Sequence, residues 1–186
     1  DRPFLENNDK IIYNGLDIDE SVNSEKYFDK FIIQSVEDKI NENYDLIFSK
    51  YVMEHVENNS QAFHNMYDSL NKDGIMIHIY PMGFHPYSII TRLIPNFMVR
   101  ILIPILRPGT ENVTGYKTFY DLGSFYYLEK FLKENKFNYD TKYYYNADDY
   151  FAFFFPLGIF MYLFDRLSSL LNLKIFASGV KLIIKK

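Results

Sequence analysis

Between residues 11 and 81 the chain changes its hydrophobic period, and this constrains the fold more than any other feature. Three short apolar runs come first: 11–19 (IIYNGLDID), 30–36 (KFIIQSV) and 44–52 (YDLIFSKYV). Runs of that length read as strands. From Ser60 the spacing lengthens, with Phe63, Met66, Tyr67 and Leu70 at i, i+3, i+4 and i+7, one face of a helix. Asn58, Asn59 or Ser60 can cap its start, and Gly74 is expected just past its end, where a positive φ costs a glycine nothing. Residues 74–81 (GIMIHIYP) then form another strand, stopped by proline. Strands alternating with helices imply a largely parallel sheet covered on both faces, with ligands bound at the carboxyl ends of its strands.

The second half is less regular. Residues 84–109 are apolar, punctuated by Pro86, Pro95, Pro104 and Pro108, and carry Arg92, Arg100 and Arg107. Helical spacing returns at 119–137, with Asp121 near its start and Phe125, Leu128 and Leu132 on one face. Residues 139–145 read as a strand, 148–172 as a segment that contains a charge-free run (150–164) and continues as a helix, and 177–186 as a closing strand. The 186 residues suffice for one core and are too few for two, so a single domain is expected over 1–186, with apolar insertions at about 84–117 and 148–176.

Composition removes several classes of function. Net charge is −4 with no long basic run, which argues against a nucleic-acid partner. The absence of cysteine excludes disulfides, thiolate zinc sites and thiol nucleophiles, and fits an intracellular, cytoplasmic protein. The opening DRPFLENNDK is polar, shows no signal peptide and lacks an initiator Met.

Asp17 closes the first strand in GLDID. A carboxylate there can accept two hydrogen bonds from the vicinal hydroxyls of a nucleoside ribose, or it can simply cap its own turn. The succession GLDID, QSVED (34–38), YDLIFSKYVMEHV (44–56) and LNKDGIMIHIYP (70–81) resembles the class I S-adenosylmethionine-dependent methyltransferases. It is most similar to the branch that contains the ubiquinone-biosynthesis O-methyltransferases. The resemblance covers residues 11–81 and fits the remainder in outline. It implies a Rossmann-like α/β sheet with helices on both faces and an antiparallel last strand, and S-adenosyl-L-methionine as cofactor.

The same resemblance implies residue roles. Asp17, with Ile18 beside it, matches the ribose-binding position. Val36 and Glu37 match the loop that edges the adenine, Val36 by packing and backbone contact. Ser49 and Lys50 match the segment beneath the methionine part, although relatives often carry an apolar residue at the position of Lys50. The family's glycine-rich loop has no counterpart, because the eight glycines form no GxG. That loop follows a central strand, between those assigned to 11–19 and 44–52. The expectation is therefore an N-terminally truncated chain lacking a first βα unit of roughly 30–50 residues, inactive as it stands.

Methyl transfer is an in-line displacement in which the protein positions the nucleophile and helps remove its proton. His55, just past a strand end and beside Glu54, is the first candidate base, since histidine exchanges protons near neutral pH. The plainer alternatives are that Glu54 and His55 pin the loop into the next helix, or touch cofactor or substrate. His85 is a second candidate on the substrate side, while His78 reads as structural and His64 as a surface residue. Some quinone-pathway relatives place an acid three residues before the Glu-His pair to complete a metal site; Tyr51 stands there, so no metal is expected.

The charge-free run 150–164 holds seven aromatics and is interrupted by Pro156 and Gly158. It is too short for a membrane span, which needs ~20 residues. It reads as a helix packed on the sheet or as an apolar cover over the acceptor site, with Tyr143, Tyr144, Tyr145 and Tyr150 as pocket or core residues. Together, 84–107 and 150–171 allow peripheral contact with the inner face of a membrane. The sequence thus implies methyl transfer to a small-molecule or lipid-like acceptor, at oxygen. The rival reading is a non-catalytic, membrane-associated or partner-binding domain of the same fold.

Overall fold

A computed structural model describes residues 11–20, 28–95, 97–98, 100–101, 105, 116–147, 151 and 154–186. The opening segment 1–10, Pro104, Arg107, Pro108 and Tyr150, all named above, lie outside the described residues. Strands β1 (Asn14–Asp17), β2 (Lys30–Ile33) and β3 (Tyr44–Lys50) lead to helix α1 (Asn59–Asp68) and strand β4 (Leu70–Pro81). Helices α2 (Pro86–Leu93) and α3 (Phe125–Glu134), strand β5 (Asn138–Tyr144), helix α4 (Phe155–Leu170) and strand β6 (Gly179–Lys185) follow.

The described strands fall in two sheets. β1 and β2 pair in parallel, with Asn14 opposite Lys30 and Asp17 opposite Ile33. The second sheet runs β3-β4-β6-β5, with β3 parallel to β4 and β6 antiparallel to both its neighbours. The expected antiparallel last strand is therefore present. The two sheets approach each other at β1 and β3. Leu46 and Phe48 of β3 are more than half exposed there, and Phe48 stacks on Tyr13, which precedes β1, at 5.9 Å between centroids. Glu42 links the two sheets at their other end, taking Lys30, the Asn14 amide and the Tyr44 hydroxyl.

The core belongs to the larger sheet. Met76 and Tyr80 of β4 and Val180, Leu182 and Ile184 of β6 alternate into one cluster with Phe63 and Met66 of α1 and Leu128 and Leu132 of α3. This is the period-two pattern of a strand with one deeply buried face. Asn58 caps α1, its side-chain oxygen accepting from the Gln61 N–H at 3.0 Å.

Two expectations are corrected. Gly74 does not end α1, because the helix stops at Asp68 and β4 begins at Leu70. A bulge displaces the β3–β4 register between Tyr44 and Leu46, Asp73 takes the positive φ of 65°, and a Cβ on Gly74 would lie 2.8 Å from the Asn71 carbonyl oxygen. Close approach, not helix capping, requires that glycine. Asp121 does not start α3 either. Its carboxylate accepts from the Asn59 N–H at 2.9 Å and so satisfies the first turn of α1.

Candidate functional site

Two parallel pairs, β1–β2 and β3–β4, carry the carboxyl ends of their strands into turns that hold the residues singled out above. After β1, one Asp17 oxygen accepts from the Asp19 N–H at 3.0 Å and closes its own turn. The other oxygen takes no protein donor among the described residues, so capping this turn occupies one oxygen of the carboxylate. Ile18 beside it is 75% exposed.

After β2 the chain enters the loop of Val36 and Glu37. Glu37 is committed within the protein: one carboxylate oxygen accepts from the N–H groups of Glu57 and Asn58, at 2.8 and 3.2 Å. The Asn65 side chain, from α1, donates to the carbonyls of Val36, Glu37 and Asp38 at 3.3, 2.7 and 3.0 Å. Asn65 escaped the sequence reading. Its signal was a poor helix former in the middle of α1, which only a specific partner would explain.

Ser49 and Lys50 end β3. The Ser49 hydroxyl and His78 Nδ1 share a hydrogen bond of 2.8 Å across the β3–β4 pair. His78 is fully buried against Phe63, and burial lowers its pKa to about 3, so the ring is neutral. Lys50 is exposed, its ammonium 5.1 Å from the centre of the Tyr51 ring. Tyr51 turns the chain with a left-handed φ of 58° while its N–H donates to the Ile79 carbonyl at 2.8 Å. A non-glycine residue there costs conformational energy, and the neighbouring strand holds it in place.

A 3-10 turn, Met53–His55, follows directly. Glu54 is buried, and burial pushes its carboxyl pKa up to about 7. Its carbonyl accepts from the N–H groups of Phe119 and Tyr120 at 2.8 and 3.3 Å, which ties the turn to the segment before α3. Among the described residues Glu54 Oε2 and the buried Tyr80 hydroxyl have no hydrogen-bond partner. His55 is part-exposed, and its Nδ1 lies 2.7 Å from the Lys117 carbonyl. A carbonyl only accepts, so Nδ1 carries the proton and Nε2, 3.9 Å from Glu54 Oε1, is left as the basic nitrogen. The pair thus pins its loop and leaves Nε2 outside the loop's hydrogen bonds.

His85 is placed differently. It is 1% exposed and caps α2, its Nδ1 accepting from the Tyr87 N–H at 3.1 Å. Its Nε2–H donates to Asp165 Oδ1 of α4 at 3.0 Å, and the second Asp165 oxygen accepts from the Ala147 N–H at 2.8 Å. Both ring nitrogens are committed, so His85 is a joint between α2, α4 and the end of β5, with no nitrogen left to take a substrate proton. Among the described residues no group of three or more His, Cys, Asp or Glu side chains could hold a metal ion.

Residues 6–78, which span β1 to most of β4, match the family model of a methyltransferase domain. None of the curated proteins matches the chain. Among solved structures, an S-adenosylmethionine-dependent methyltransferase from Archaeoglobus fulgidus is similar at 12% identity and a TM-score of 0.53, over 93% of this chain and 75% of that one. The plantazolicin methyltransferase BpumL, in complex with a monoazolic desmethylPZN analog and SAH, is similar at 12% identity and a TM-score of 0.50, over 94% of this chain and 66% of that one. At such identities the likeness is one of fold. Residues 6–78 thus match a methyltransferase domain, and the fold is one that this chain shares with S-adenosylmethionine-dependent methyltransferases.

Proposed function

We propose that the protein transfers a methyl group from S-adenosyl-L-methionine to a hydroxyl oxygen of a small-molecule or lipid-like acceptor. The observation that carries this reading is that Asp17, the 36–37 loop and Ser49 stand at or just after the carboxyl ends of the parallel pairs β1–β2 and β3–β4, within the segment that matches a methyltransferase domain. The cofactor fits these residues: the free Asp17 oxygen suits the ribose hydroxyls, the Val36 backbone suits the adenine edge, and the Ser49 hydroxyl suits the methionine part. Lys50 borders the same end of β3 through its backbone. When bound, the cofactor supplies a methyl group on a positively charged sulfur.

His55 Nε2 is the group that takes the proton of an acceptor hydroxyl. Its orientation is fixed by the Lys117 carbonyl on the other nitrogen. The exposed apolar residues of α2 and α4 support an acceptor of apolar or lipid-like character.

Calorimetry on the intact protein tests the cofactor assignment. Asp17→Ala is expected to weaken S-adenosylmethionine binding by about 1–3 kcal/mol, the loss of charge-assisted hydrogen bonds. Unchanged binding would remove Asp17 from the ribose site. For the base, His55→Gln is expected to lower kcat by roughly a hundredfold or more with cofactor affinity unaltered. An unaltered kcat would leave His55 as a loop pin alone.

A further inference from the structure

Helices α2 and α4 are built inside out. The one buried residue of α2 is Ser88, while Ile89, Ile90 and Leu93 are exposed, Leu93 by 78%. The buried residues of α4 are Met161, Asp165 and Ser168. At 100° per residue these three share one stripe. The opposite side carries Ile159, Leu163, Arg166 and Leu170, with Leu170 82% exposed. A helix facing water has the reverse arrangement. The buried His85–Asp165 hydrogen bond joins the two helices on their polar sides and leaves their apolar sides turned outward.

The charges on this surface are one-sided. Among the described residues of 84–105 the charged side chains are Arg92, whose guanidinium also donates to the Gly83 carbonyl, and Arg100, with no Asp or Glu, in a chain of net charge −4. On α4 the acid of the Asp165-Arg166 pair points inward to His85, so the exposed stripe keeps only Arg166, whose guanidinium lies 5.9 Å from the centre of the Tyr162 ring. No helix among the described residues is long and apolar enough to cross a bilayer. A second copy of the chain is a poor occupant, because a two-fold contact would set this cationic patch against itself. An anionic bilayer offers both what the apolar side chains need and the opposite charge.

We infer that the outward faces of α2 and α4 are a docking surface for an anionic lipid bilayer, on which the protein lies without spanning it. The inference does not depend on methyl transfer, and its test needs no cofactor. The full chain is sedimented with vesicles of phosphatidylcholine plus phosphatidylglycerol and with phosphatidylcholine alone. Binding is expected to the first, to fall with added salt, and to be weaker to the second. Leu163→Glu on α4 and Leu93→Glu on α2 are expected each to cut the partition coefficient by roughly ten- to a hundredfold. Arg166→Glu is expected to remove the preference for phosphatidylglycerol. Tyr126→Glu, at an exposed aromatic of α3, should change neither.

All four positions are exposed, so circular dichroism should match the parent protein, and a variant that fails to fold leaves the others to decide. Failure of the parent chain to sediment with either vesicle overturns the inference. So does equal binding by Leu163→Glu, Leu93→Glu and Tyr126→Glu. A concentration-dependent dimer that Leu163→Glu abolishes, without vesicle binding, would assign the surface to a second copy instead.

Discussion

Strands β1 and β6 are held very differently. β6 lies between two partners and buries Val180, Leu182 and Ile184 completely. β1 has one partner, and along its four residues the one buried position is Gly15. No residue of β1 or β2 belongs to the main buried cluster, and Ile33 is 54% exposed. Yet Asp17 and the 36–37 loop, the adenosine half of the proposed cofactor site, belong to this lightly packed pair. Ser49 and His55 leave β3, on the well-packed sheet. Elements that handle ligands are commonly the less stable ones, because binding can then complete their structure. Asn65 and Glu37 are the ties that bring the weaker half to the stronger.

Four measurements test this contrast, in order of decreasing expected effect. Leu132→Ala, at a fully buried position of α3, should cost about 2–5 kcal/mol in urea unfolding, as other core truncations do. A smaller loss would mean that the core is not where the stability lies. Next, Glu54 has a pKa raised from 4.5 to about 7 by burial. The native state holds this proton where the unfolded chain releases it, so stability falls as pH rises through that window. Glu54→Gln should remove that slope and be the more stable form above it by on the order of 1–3 kcal/mol. Denaturation midpoints at the two ends of the window decide, and parallel curves would refute the assignment. His78 acts in the opposite direction: lowered from 6.5 to about 3, it withdraws stability as pH falls through that range.

Third, Asn65→Ala should cost about 1–2 kcal/mol and loosen the 36–38 loop specifically, seen as faster amide exchange there than in β6. Loosening spread over the whole chain would deny Asn65 its role as a tie. Last, Ile32→Ala in half-buried β2 should cost no more than about 1 kcal/mol. The β1–β2 amides should also exchange well before those of β6. Exchange at a common rate would show one cooperative unit and end the contrast.

Much of the layout was readable from spacing. The apolar runs became β1, β2 and β3 in the expected order, shortened at their ends, and Asn58 took the cap that its position suggested. The strand-end rule picked residues that do stand at or just after the carboxyl ends of β1, β2 and β3. Partners distant in sequence were not readable. Asp121 caps a helix that begins 62 residues earlier, and the joint of His85 and Asp165 spans 80 residues. Gly74 showed the same limit locally: a glycine after a helical pattern looks like a cap until the strand register shows a bulge.

Local periodicity and short-range capping chemistry act within a few residues, so the chain by itself determined its elements and their order. Tertiary structure alone decided how each polar group is spent. A buried donor or acceptor must find a partner wherever the fold brings one. That requirement turned His85 inward as a joint, set His55 Nδ1 on the Lys117 carbonyl, and drew Asp165 to the buried side of α4 while its leucines faced out.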